Sequence, residues 1–491
     1  MEEYESFGRC LQRVLTENGI SASEAARLVG FRSRNSIFRI LNDETSGDVD
    51  ARFLKSLWQA MGDQWPQAHW RALENALHIK IVGLAQHRDD QAFCRAMCGS
   101  AELQPFIVET KADGRQQDVP MDVVLRQICS QGQWTAVICG CCDAQLTTLL
   151  SVAMNDAGSE GRLSVRHYID VGHARMVRSI LGALPLMGRV WYNARLVDEE
   201  RCPAEMIPLY QLNIINLLGT LPDGSNMVYQ LLQCDKRRFF LMSGAVQISQ
   251  LVTVLDRYRF DLELLKPMEI PSGGPEDFVA YTDQYARLEK GCAIYSIKPD
   301  VHFNFVPTQL LYPAIVDGFQ QAGIAAGDAL AALVNELYRI HEGRVNNAFS
   351  GENPVHIVYS LTAMEQFMRT GVQSDHFFLQ RAYTLEERRE IVRRMLEHAK
   401  AHPNFDIRFQ RRDLPEIRSE MTLYDGRGVL LLDGYTSYDL HDDHSEALIT
   451  LPAFMQSFQR FYTEVLMKKL VLTREESLCE LERLLQLPLA D

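Results

Sequence analysis

What this 491-residue chain lacks narrows its class before any motif is considered. It has no unbroken run of roughly 20 apolar residues, the length a membrane-crossing helix requires. The greasiest stretch, Met206 to Leu221, is interrupted by Gln211, Asn213 and Asn216. The start, Met-Glu-Glu-Tyr-Glu-Ser, is acidic where a secretory leader is basic, so a cytoplasmic location is expected. The chain has 11 cysteines but no two pairs at zinc-ligand spacing. Cys94 and Cys98 lack a histidine partner, and Cys139, Cys141 and Cys142 sit in an apolar run. Reduced, buried thiols are expected, with a metal or redox role for the second group as the alternative. Dinucleotide and phosphate-binding glycine loops, the Gly-x-Ser-x-Gly elbow and His-Glu-x-x-His are all missing. No cofactor, metal site or catalytic residue is therefore expected.

What is present is an ordinary globular composition, 46% hydrophobic and 23% charged. At roughly 100–200 residues per domain the length suits two to four domains. The net charge of −14 excludes a protein that coats nucleic acid with its whole surface. A small DNA-reading domain on an acidic body stays compatible, since only a local patch must face phosphates.

The first 61 residues read as such a domain. Phe7, Leu11, Val14 and Leu15 recur at helical steps, and Asn18-Gly19 ends that helix. Ser21, with Glu24 three residues on, fits a capping box opening a second helix, Ala22 to Val29, which stops at Gly30. Phe31-Arg32-Ser33 forms a turn into a third helix, Arg34 to Asn42, with Ile37, Ile40 and Leu41 facing inward. Phe53, Leu54 and Leu57 mark a fourth. Between Ala25 and Leu41 stand Arg27, Arg32, Arg34 and Arg39 and no acid. Arginine serves both phosphates and base edges, although a solvated arginine face on a protein-interaction module would look the same.

Ala25-Ala26, Gly30, Ile37 and Ile40-Leu41-Asn42 together resemble the helix-turn-helix of the lambda repressor and Cro class. The turn departs from the commonest spacing by one residue between Gly30 and Ile37. The resemblance covers about an eighth of the chain and implies double-stranded DNA as partner, read by the second helix of the pair. Arg34, Asn35, Ser36 and Arg39 are then the candidates for base edges. Ser21, Ser23, Arg32 and Asn42 are the candidates for phosphates. Regulators of this class bind as two-fold dimers, so a homodimer is expected.

Residues 62–100 read as a helical linker. Trp70, Leu73, Leu77, Ile81 and Leu84 make an a/d-type stripe over two heptads. It suits either a dimer helix or a helix packed on the large domain.

Beyond residue 101, strands and helices alternate, predicting α/β layers. Residues 101–245 form one lobe, 246–350 a mainly helical insert, and 351–491 a second lobe with a C-terminal helix. The two lobes look like weak copies. Val228–Gly244 and Arg418–Leu432 each have an apolar strand, a polar turn opened by aspartate (Asp235, Asp425) and a second apolar strand. That pattern is similar to the phospholipase D-like fold; a different α/β sensor fold is the alternative. The resemblance implies His, then Lys two residues on, then Asp five further in each lobe. Here those positions read Val228, Gln230, Asp235 and Arg418, Glu420, Asp425. Both His and both Lys are absent, so a sensor without hydrolytic activity is expected.

Three smaller signals remain. His441-Asp-Asp-His444-Ser-Glu446 suits a divalent metal or a solvated acidic loop. Tyr281, Tyr285, Tyr295, Phe303 and Phe305 suit an apolar pocket or plain core. His167, His173 and His302 read as structural. The expected whole is multidomain: an all-α helix-turn-helix head followed by a large α/β body. Its expected function is transcriptional regulation with an unidentified small-molecule or protein effector and no membrane partner. The alternatives are a DNA-targeted phosphodiesterase or nuclease-like enzyme, and a defence-related interaction protein whose head binds protein.

Overall fold

A computed structural model describes residues 5–31, 33–62, 64–98, 104–110, 115–139, 150, 153–154, 157–158, 160–170, 176–187, 191–197, 214–234, 237–243, 259–261, 275–299, 301, 305–321, 327–372, 382–432 and 446–487. The chain divides into two compact units, Met1–Gln91 and Ala92–Asp491. The first is helical, the second α/β with mixed sheets.

The first unit holds α1 (Phe7–Glu17), α2 (Ala22–Leu28), α3 (Arg34–Leu41), α4 (Gly47–Met61) and α5 (Gln67–Val82). Serine opens the first three: Ser6, Ser21 and Ser33 each accept a hydrogen bond from a first-turn amide. At Ser21 only half of the expected capping box forms, the hydroxyl accepting from Glu24 N at 3.2 Å. Gly30 turns the chain with φ +77°, a conformation costly for other residues. The core gathers Phe7, Leu11, Val14, Ala25, Ala26, Ile37, Ile40, Phe53 and Leu57. Trp65, Trp70, Leu73 and Leu77 belong to the same core, so the unit runs well past residue 61.

That last observation corrects the expected role of the apolar stripe. α5 ends at Gly83 and Leu84 starts the next helix, α6 (Leu84–Cys98). Trp70, Leu73 and Leu77 are buried in the first unit's own core, so they form no free seam, and Ile81 is 54% exposed. A period of three and four residues reports that a helix has a buried face, not what covers it.

The second unit contains two sheets, with α7 (Met121–Cys129) and α8 (Met176–Ala183) between strands of the first. The first has nine strands: β1 (Phe106–Thr110), β2 (Gln116–Pro120), β3 (Gln133–Cys139), β4 (Leu163–Asp170), β5 (Tyr192–Val197), β6 (Ile214–Thr220), β7 (Asn226–Gln233), β8 (Arg238–Ser243) and β9 (Arg259–Asp261). Their order is β2-β1-β8-β7-β6-β3-β4-β5-β9. The second has six: β10 (Ile294–Lys298), β11 (Val355–Tyr359), β12 (Phe405–Phe409), β13 (Glu420–Tyr424), β14 (Gly428–Leu432) and β15 (Glu446–Ile449), in the order β12-β11-β10-β13-β14-β15.

The two sheets repeat one topology. In each, three parallel strands lie on one side, β3-β4-β5 and β10-β11-β12. An antiparallel meander lies on the other side, β6-β7-β8 and β13-β14-β15. Strands β1, β2 and β9 are additions at the edges of the first sheet.

This topology corrects two expectations. The hairpin equivalent to β13–β14 is β6–β7, not β7–β8, so the copies expected from Val228 and Arg418 are displaced by one strand. All three hairpins set two largely apolar strands about a polar turn, and that pattern cannot number strands. Residues 246–350 are mainly helical but are not an insert, since they supply a strand to the second sheet. Between α9 (Pro275–Glu289) and α10 (Thr308–Gln321) lies β10, which pairs with both β11 and β13 at the centre of the second sheet. Five residues, Ile-Tyr-Ser-Ile-Lys, are too few for a pattern to stand out among helices. α11 (Asp328–Phe349) does continue the expected helical stretch.

One apolar core draws on both sheets, from Ala136, Ile138, Leu217 and Leu231 to Ile297, Met421, Val429 and Leu431. Phe93 joins it from the part of α6 that belongs to this unit, stacked on Phe461 with ring centroids 5.0 Å apart. A second core lies among α10, α11, α12 (Leu361–Thr370), α13 (Leu385–Ala401) and the C-terminal helix Arg474–Leu485.

Polar groups tie the first unit together at one point. Lys80 Nζ on α5 lies 2.6 Å from Asp50 Oδ2 on α4 and 3.2 Å from Asp43 Oδ1 in the loop after α3. Asp43 Oδ1 also accepts from Gly8 N of α1 at 3.0 Å. Burial alone would raise the Asp43 carboxyl, but hydrogen bonds from Ser6, Gly8 and Lys80 outweigh it and hold it below the usual range. Burial would likewise lower the Lys80 ammonium, and its two aspartates raise it instead. A lowered carboxyl contributes stability above about pH 4 that fades as pH falls; a raised ammonium contributes below about pH 10 and fades as pH rises. Lys80→Met should strand the fully buried Asp50 and destabilise the first unit by about 3 kcal/mol. Hydrogen exchange of the amides in residues 5–82 of the full chain reads this. Protection equal to wild type across pH 5–9 would show that the lysine is dispensable.

Candidate nucleic-acid interface

α3 has eight residues and two unlike faces. Ile37 and Ile40 are wholly buried, in one core with Ala25 and Ala26 of α2, which offer methyl groups where larger side chains would hold the helices apart. A helix turns about 100° per residue, so burying 37 and 40 sends 35, 38, 39 and 42 to the opposite side. Asn35, Phe38, Arg39 and the C-cap residue Asn42 are all exposed. α1 approaches the end of α3 so closely that a Cβ on Gly8 would collide with the carbonyl oxygen of Leu41.

The expected contact residues divide accordingly. Asn35, Arg39 and Asn42 share the exposed stripe, and Ser36 at its margin is half-buried. Asn42 Nδ2 donates to Glu44 Oε1 at a long 3.4 Å. Ser21 caps α2 from an exposed position and Ser23 is half-buried on its first turn. Arg34 begins α3, but its side chain, like all of Arg32, lies outside the described residues. Arg27 is 80% exposed on α2, 3.8 Å from Glu24. Sequence reasoning missed Phe38, which is 49% exposed in the middle of the stripe. Its only signal was position: it falls between two buried isoleucines that already satisfy the helix.

Elsewhere the expected chemistry thins out. Residues 140–149 and 433–445, with Cys141, Cys142, His441 and His444, lie outside the described residues, as do His173, His302 and Phe303. His167 is fully buried, its Nδ1 2.7 Å from Tyr192 Oη. Tyr285 and Phe305 are core, and Tyr295 stacks on His356 with centroids 5.1 Å apart. Beside them is a cavity of about 20 Å³, room for one water. Burial pushes the thiol of Cys98 up to about 11, which disfavours the thiolate a metal needs. Among the described residues no group of three or more His, Cys, Asp or Glu is arranged to hold a metal ion, and no helix is long and apolar enough to cross a membrane.

At the expected phosphodiesterase position of the second lobe, Glu420 is buried in an ion pair with Lys298 and accepts from Thr422 Oγ1 at 3.1 Å. In the first lobe the equivalent turn carries Asp223, whose Oδ1 accepts from Ser225 N at 2.9 Å. Counting back from it by the expected spacing gives Asn216 and Leu218. Gln230 Nε2 donates to Asn216 Oδ1 at 2.9 Å.

No family model matches this chain, and comparison with curated proteins returns no match.

Proposed function

We propose that the chain is a sequence-specific DNA-binding transcriptional regulator whose α2–α3 pair is a helix-turn-helix of the lambda repressor and Cro class. The observation that carries this reading is the exposed stripe of α3. Asn35, Arg39 and Asn42 stand on one face, the two isoleucines hold the other, and no acid intervenes from Ala25 to Leu41. Amide and guanidinium side chains are the groups that pair bidentately with base edges, and arginine also draws phosphates. Arg34 and Ser36 complete the base-reading set, with Ser21, Ser23, Arg32 and Asn42 nearer the backbone.

The body is then a sensor of a ligand or protein partner, a degenerate phospholipase D-like pair of lobes. The repeated sheet topology supports that likeness. The chemistry that fold performs needs a nucleophilic His beside a phosphate-binding Lys. Asn216, Leu218, Arg418 and Glu420 supply neither, and Glu420 already neutralises Lys298. Residues 92–98 end α6 inside the body's core, where Met97 O accepts from Arg418 N at 2.9 Å and Ser419 N at 3.2 Å. α6 therefore ends at the entry of β13, where the motif would lie. Two copies acting together would read a near-palindromic site, although the contact between them cannot be the Trp70–Leu77 stripe.

Three outcomes are expected. In a gel-shift against genomic fragments, Arg34→Ala and Arg39→Ala should each cost about 1–3 kcal/mol in affinity and relax specificity; unchanged affinity in the double variant would reassign the interface. Sedimentation at micromolar concentration should give about twice the 56.0 kDa chain mass, and a monomer both free and on DNA excludes the dimer. Purified protein should not turn over phosphodiester substrates with or without divalent metal. Activity lost on mutating His441 and His444 would instead favour the DNA-targeted enzyme.

A further inference from the structure

The exposed stripe of α3 contains one side chain that hydrogen bonding cannot explain. Phe38 is 49% exposed, on a helix whose isoleucines are completely buried. Phenylalanine is among the residues most often inside, yet about half of this side chain faces solvent. Its neighbours on the stripe are Asn35 three residues before, Arg39 beside it and Asn42 four residues after, all exposed and all able to donate hydrogen bonds. An aromatic ring set among such groups, with no carboxylate between Ala25 and Leu41, matches the major groove. There the one apolar feature on a base edge is the C5-methyl group of a pyrimidine.

Resting on the DNA-reading proposal, we propose that Phe38 reads a pyrimidine C5-methyl group in the major groove, and that it is a specificity-determining residue flanked by the polar contacts of Asn35 and Arg39. Thymine and 5-methylcytosine present the same methyl group there. Asn35 and Arg39 would fix the register of the helix on neighbouring base edges, while the ring adds discrimination through apolar contact alone. The contribution is that of burying one methyl group, about fourfold in affinity.

The test begins with the full-length chain and a pool of random-sequence duplexes, from which bound sequences are enriched. The selected duplex is then remade with deoxyuridine in place of each thymidine in turn, and with 5-methyldeoxycytidine against deoxycytidine at each cytosine. About fourfold weaker binding on removing one thymine methyl assigns thymine; a similar gain on adding a cytosine methyl assigns 5-methylcytosine. Either supports the proposal if Phe38→Ala binds the methylated and bare probes alike, while Phe38→Leu keeps the preference. Arg39→Ala should weaken binding and leave the methyl preference intact. Equal affinity for all methylated and bare probes overturns the proposal, as does a preference that survives Phe38→Ala. If the pool yields no enriched duplex, the DNA-reading proposal itself fails and this one falls with it.

Discussion

Among the described residues of the first unit, Lys80 is the cation on which the buried Asp50 and the loop after α3 converge, and the placement of α3 depends on it. Its ammonium lies between Asp50, which has no exposed surface, and Asp43, which sits in the left-handed region at φ +58° just beyond the end of α3. Asp43 in turn holds the first-turn amide of α1. Four segments distant in sequence therefore meet at one charge. Loss of the lysine would leave two partly desolvated carboxylates side by side. The loop that fixes the C-terminal end of α3 would lose its anchor, and with it the direction in which Asn35, Phe38 and Arg39 point. Apolar burial of Ile37 and Ile40 sets which face of α3 is inward; the Asp43–Lys80 contact ties down the loop that follows it.

The first unit was largely legible because its signals are local. Serine caps, Gly30 and helical spacing of Ile37 and Ile40 all act within a few residues, and the element bounds follow from them. Lys80 was not legible, because its partners lie 30 and 37 residues away and nothing in the sequence links them. Phe38 escaped notice for the opposite reason: apolar residues in a helix are assumed to face inward, and only the burial of its neighbours shows that this one does not.

In the body, strands were legible and their order was not. The capped helix at Leu385–Ala401 and the Asp425-Gly426-Arg427 turn stand where their patterns put them. A duplicated architecture was visible as two similar hairpins, yet the copies were matched one strand out of step. Only pairing partners, such as Trp134 with Gly219 in one sheet and Ile294 with Tyr424 in the other, identify which hairpin flanks the central strand. β10 went unread because a short central strand is covered by helices on both sides in sequence, and its lysine, Lys298, disguises a position that is buried only because Glu420 neutralises it.

That buried pair bears on how a regulator of the proposed kind would work. To change operator occupancy tenfold, an effector must favour one arrangement of the body over another by about 1.4 kcal/mol. The amides of Arg418 and Ser419 that donate to Met97 O each contribute on the order of 1 kcal/mol. Two such bonds, made or broken together, are of the size required. They sit two residues or fewer before Glu420, whose own geometry is fixed by Lys298 and Thr422 on the buried side of the sheet. A shift of β13 along its neighbours would be opposed by that ion pair, which tolerates little displacement in a low-dielectric interior. The ion pair therefore anchors β13 at Glu420, and the two amides just before it hold the last turn of α6.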